Sequence, residues 1–131
     1  MAGKTLDELE HSVVIEPPFD SHLVTTCYRL RKKPIGEFTV EDLRIMIGQK
    51  IGLEHLLPLA IAVLEREPLA EGDFYPGDLL TNVIACQEWL HTHPDLRACV
   101  LTAARRAVAE VDAEDNELRR RFSAFLPSAW D

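Results

Sequence analysis

Histidine, cysteine and clustered carboxylates are the side chains here that could do chemistry. His91 and His93 form an H-x-H pair just ahead of Pro94. Imidazole is a favoured zinc ligand, but residues two apart on a helix point away from each other, so the pair could share an ion only from a loop. No third ligand stands nearby, and surface or capping histidines are the simpler reading. His55 is of a residue type that can serve as an acid or base near neutrality, yet a lone histidine on a helix is more simply a surface or core-edge residue. Cys27, Cys86 and Cys99 would act as nucleophiles only beside an activating base, and no cysteine-enzyme pattern surrounds them. Their odd number and apolar settings read as core thiols in a reducing compartment, not as a disulfide framework. Glycine-rich phosphate loops of the G-x-x-x-x-G-K-[ST] or G-x-G-x-x-G kind are absent. The residues therefore point away from an enzyme, a metal site and any cofactor.

One stretch remains. Pro68-Leu69-Ala70-Glu71-Gly72-Asp73-Phe74-Tyr75-Pro76-Gly77-Asp78 mixes carboxylates with two adjacent aromatics. Aromatics supply contact area at an interface, while acids steer and pair with lysine or arginine on a partner. The alternative is that Phe74 and Tyr75 pin the loop to the body and the acids are merely solvated. Glu71, Asp73, Phe74, Tyr75 and Asp78 are the candidate partner-binding residues. Asp20, Glu41 and Asp42 join them, although helix caps account for those three equally well.

The elements that must position this loop are helical. Thr5-Leu6-Asp7-Glu8 has the form of a capping box and opens a short helix over about Leu6 to His11. Pro17-Pro18 interrupts, and Leu23, Val24, Cys27, Tyr28 and Leu30 share a face of a helix from about Ser21 to Arg31. The basic run Arg31-Lys32-Lys33 sits at that helix's negative end and complements it. Thr39-Val40-Glu41-Asp42 caps a third helix, with Leu43, Ile45, Met46 and Ile47 facing the core. Leu53 to Glu65 is apolar almost throughout, as a central helix buried on most sides must be, kinked or restarted at Pro58. Pro68, Gly72, Pro76 and Gly77 make Glu65 to Asp78 a long acidic loop. Three helices follow, over Leu79 to Leu90, over Leu96 to Val111 introduced by Pro94, and over Glu114 to Leu126. The fold class is all-α, a compact bundle of about six or seven helices in a single domain over 1–131, with 1–4 and 127–131 loosely ordered.

Bulk properties narrow the function. The chain has 131 residues, 47% hydrophobic and 27% charged, an ordinary globular composition. Its longest uninterrupted apolar run, Leu56 to Leu64, is nine residues, whereas a bilayer span takes about 20. The first residues carry acids and no apolar stretch, unlike a secretory signal, so a cytoplasmic location is expected. Twenty-two acids against 14 bases give a formal charge of −8, which disfavours nucleic acid and anionic membranes as direct ligands. That charge admits a basic protein partner, although many cytoplasmic proteins are acidic for solubility alone.

Glu16-Pro17-Pro18-Phe19-Asp20-Ser21, the run from Glu37 to Gln49 and the acidic loop through Leu80 resemble a family of contact-dependent growth inhibition immunity proteins over roughly residues 4 to 110. The resemblance implies a bacterial protein that binds and neutralises the C-terminal toxin domain of a cognate surface effector. Such toxins are often nucleases, whose phosphate-gripping surfaces are basic, and an acidic inhibitor complements them. The family does not fix the contact residues or the toxin's reaction. Two other readings stand beside it: a helical regulatory or scaffold protein for another basic partner, and a small hydrolase using His55 or the His91/His93 pair.

Overall fold

A computed structural model describes residues 3–12, 21–111 and 114–126. Among these residues the fold is all-α: α1 (Leu6–Leu9), α2 (His22–Arg31), a 3-10 turn (Ile35–Glu37), α3 (Val40–Gly48), α4 (Leu53–Arg66), α5 (Asp78–Ile84), α6 (Gln87–His91), α7 (Pro94–Glu110) and α8 (Asn116–Phe125). Among the described residues, strand-type pairing is limited to one isolated bridge between Glu71 and Pro76.

Local chemistry sets the helix starts. The Thr5 hydroxyl accepts from the Glu8 N–H at 3.2 Å while the Glu8 carboxylate accepts from the Thr5 N–H at 3.0 Å. Thr39 and Asp42 repeat the arrangement at α3, at 3.1 and 3.0 Å. Ser21 caps α2, Asp115 caps α8, and Pro94 occupies the first turn of α7, where its missing N–H costs nothing.

Packing then centres on α4. Leu56, Leu57, Ala60, Ile61 and Leu64 are buried along it, each large side chain contributing about 1.5–3 kcal/mol relative to exposure. The alanines of α7, Ala103, Ala104 and Ala107, let that helix approach closely. On the other side α3 packs on α5 and α4, burying Met46, Ile47, Leu79, Leu80 and Val83 in the same cluster. Leu6 from α1 and Leu118, Phe122 and Phe125 from α8 complete it.

Three expectations change. The single helix expected over 79–90 is two, separated at Ala85 and Cys86, which raises the count to eight α-helices among the described residues. The Ala85 carbonyl turns out to the Lys50 amine at 3.2 Å, and the Cys86 N–H donates to Val83 rather than continuing the helical ladder. Leu79, Leu80, Val83, Cys86 and Leu90 keep helical spacing across the break, so periodicity cannot see it. Of the kink or restart expected at Pro58, the restart does not occur: α4 is continuous from Leu53 to Arg66. Pro58 and Glu54 are both exposed, so water can serve the Glu54 carbonyl that lacks its i+4 donor. The basic run does more than complement a helix end. Arg31 bonds Asp7 at 2.8 Å and also reaches Glu10, Lys32 pairs with Asp7, and Lys33 pairs with Asp42 at 2.7 Å. It ties α1 and α3 to the end of α2.

No described helix is long and apolar enough to cross a membrane.

Candidate functional site

The loop between α4 and α5 is ordered by buried carboxylate chemistry. Asp78, the first residue of α5, is 2% exposed. Its carboxylate accepts the Gly72 N–H at 2.7 Å on one oxygen, and the Phe74 N–H at 3.0 Å and the Tyr75 N–H at 3.5 Å on the other. Backbone donors that would otherwise need water are thereby satisfied inside the turn. The Gly77 N–H closes the base of the loop on the Leu69 carbonyl at 3.1 Å.

Helix α3 supplies the second anchor. Glu41 takes a two-pronged contact from the Arg44 guanidinium and also accepts the Asp73 N–H at 2.8 Å. The hydrogen bond from Arg44, helped by the Asp73 N–H, outweighs burial and holds the Glu41 carboxyl below its ordinary range; the same bond raises Arg44 above its own. Arg44 is the hub, with its Nε 3.8 Å from Asp78 and its guanidinium 4.1 Å from the centre of the Phe74 ring.

Helix α8 supplies the third. The Tyr75 hydroxyl donates to Thr81 at 3.1 Å and accepts from Arg121 at 3.1 Å. Gly77 has φ +95°, and a Cβ there would lie 2.9 Å from the Phe122 ring, so a side chain at this position would be strained on both counts. A Cβ at Gly72 would collide with the Glu41 carboxylate.

The candidate residues therefore separate into two groups. Glu71, Asp73 and Phe74 face outward, with Phe74 70% exposed. Exposure was also expected of Asp78, and that expectation fails. An acid that receives backbone N–H groups of its own loop and lies near a guanidinium is drawn inward, where it organises the loop. Tyr75 is half-buried and pins the loop, whereas Phe74 does not. Glu41 and Asp42 are both half-buried, the first bracing the loop and the second serving in the α3 cap and the Lys33 pair. Asp20 lies outside the described residues. Sequence reasoning missed Arg44 and Arg121. The i, i+3 spacing of Glu41 and Arg44 was the available signal for the first; nothing local marks the second.

The other reactive side chains are scattered. His93 stacks on Trp89 with ring centres 3.6 Å apart, and its Nδ1 lies 2.8 Å from the Trp89 carbonyl. His91 is exposed and His55 half-buried. Among the described residues no three metal-ligating side chains converge. Burial raises the Cys27 and Cys86 thiols above their ordinary range; Cys99, expected in the core, is half-buried.

Comparison with known proteins places these features in context. No curated protein and no solved structure matches the chain. The family model for CDI immunity proteins matches residues 8–100, a stretch that contains α3, α4, α5 and the whole acidic loop and stops short of α8. That stretch is well over half of the chain, which thus belongs to the family of contact-dependent growth inhibition immunity proteins.

Proposed function

We propose that the chain binds the C-terminal toxin domain of its cognate effector stoichiometrically and neutralises it in the cytoplasm, without catalysing a reaction. The observation that carries this is the braced loop on a CDI immunity protein, which holds Phe74 and the carboxylates of Glu71 and Asp73 out on one surface. A fixed loop with an exposed aromatic flanked by acids has the composition of an interface, where aromatic area binds and charge guides.

The charge also speaks to the toxin's class. At −8 overall, the chain is attracted to a basic surface, and a nuclease that grips phosphate has one. A nuclease toxin domain is therefore the proposed partner.

The test is co-expression of the chain with the effector's C-terminal domain in a sensitive cell, scoring survival and co-purification. Survival with a recoverable complex supports the reading. Continued killing by the toxin, with the chain present and folded, removes it.

A further inference from the structure

Resting on that reading, we propose that Phe74 is the anchor of the interface, seating its ring in an apolar pocket on a basic protein surface, while Glu71 and Asp73 set the rate of approach. Three observations lead there. Phe74 is 70% exposed, and among the described residues Leu23 at 41% is the other large apolar side chain left in solvent. Single exposed apolar groups are ordinary, but this one stands at the tip of a loop built to hold it. Its own N–H is bound by Asp78, the preceding N–H by Glu41, and one face of its ring lies against Arg44, itself clamped by Glu41. The ring is thus ordered before any partner arrives, which removes part of the entropy cost of binding.

The occupant follows from charge. Asp73 adjoins Phe74, Glu71 stands across the bridge from Pro76, and both acids are exposed. An acidic protein, a phosphate backbone or an anionic lipid would be repelled at the distance where the ring makes contact. A protein surface that offers an apolar pocket rimmed by lysine or arginine satisfies both halves of the tip. The two kinds of group then divide the kinetics. Rim charges change association and its salt dependence, whereas a centrally buried aromatic changes dissociation.

The experiment measures association and dissociation rates of the full chain with the toxin domain. Phe74→Ala should speed dissociation by roughly 30-fold or more, with association changed by less than about 3-fold. Phe74→Trp should recover most of the loss. Glu71→Lys with Asp73→Lys should slow association by about 10-fold and flatten its salt dependence, with dissociation nearly unchanged. Phe74→Ala should melt within about 4 °C of the parent, because the ring buries little and loses only its exposed contact with Arg44. Hydroxyl-radical labelling of the unaltered chain gives an independent readout, in which Phe74 should react when free and be protected in the complex. A parent that fails to bind the toxin domain defeats the functional reading itself. A parent that binds, with Phe74 still labelled or with Phe74→Ala dissociating at the parental rate, overturns the anchor alone.

Discussion

Replacing Asp78 with alanine isolates what orders the loop. The carboxylate accepts two well-formed backbone hydrogen bonds, from Gly72 at 2.7 Å and Phe74 at 3.0 Å, with Tyr75 more distant at 3.5 Å. Hydrogen bonds to a charged group contribute about 1.5–3 kcal/mol each, and a carboxylate in the first turn of α5 adds about 0.3–1 kcal/mol against the helix dipole. Solvent offsets part of the loss, because Phe74 is exposed and Gly72 half-exposed, so their freed N–H groups can find water. A net cost of about 2–4 kcal/mol results. For a chain of this length that lowers the melting temperature by roughly 8–15 °C, while total stability of about 7–20 kcal/mol leaves the variant folded. Calorimetric melting gives the first number. Hydrogen exchange at Gly72 and Phe74 gives the second, and it should rise far more than exchange in α4 or α7. Asp78→Asn keeps one acceptor and should fall about midway. A melting temperature within about 2 °C of the parent, with exchange at Gly72 and Phe74 unchanged, would refute the carboxylate's role.

Three further outcomes follow from the same structure. Burial by itself would raise the Asp7 carboxyl, but hydrogen bonds from Lys32 and Arg31 prevail and hold it below its ordinary 3.8, so its contribution to stability is complete above 3.8 and is lost as pH falls through the lower folded value. The melting difference between the parent and Asp7→Asn should therefore be constant from about pH 7 to 5 and close below 3.8; a gap that persists in acid would contradict the ion-pair account. Gly77→Ala combines a left-handed backbone with a Cβ 2.9 Å from Phe122 and should cost about 2–4 kcal/mol in urea unfolding, whereas a cost below about 0.5 kcal/mol would show that the loop relaxes freely. Tyr75→Phe keeps the ring and removes the hydroxyl shared by Thr81 and Arg121, for an expected loss of about 0.5–1.5 kcal/mol that a double-mutant cycle with Arg121→Ala should show to be coupled.

Helix starts were legible where a short-range rule sets them. Thr5 with Glu8, Thr39 with Asp42, Ser21 and Pro94 all act within four residues of themselves, and each lies where its chemistry placed it. The acidic loop was legible from its prolines and glycines for the same reason. The break at Ala85 and Cys86 was not, because the buried residues keep helical spacing across it and the partner of the Ala85 carbonyl, Lys50, lies 35 residues away. The loop's interior was hidden likewise. An aspartate at the start of α5 looks the same in sequence whether it faces water or folds back onto its own turn, and Arg44 and Arg121 are brought to the loop only by the packing of α3 and α8. Charge therefore marked the acidic loop while misreading which of its acids face outward.

The most direct test of the account is a titration of the effector's purified C-terminal domain with this chain, following the heat of binding and the toxin's activity in parallel. Binding that saturates at one equivalent, with activity lost in step, is the predicted result. Absence of binding heat together with full toxin activity in the presence of excess folded chain would contradict neutralisation by a stoichiometric complex.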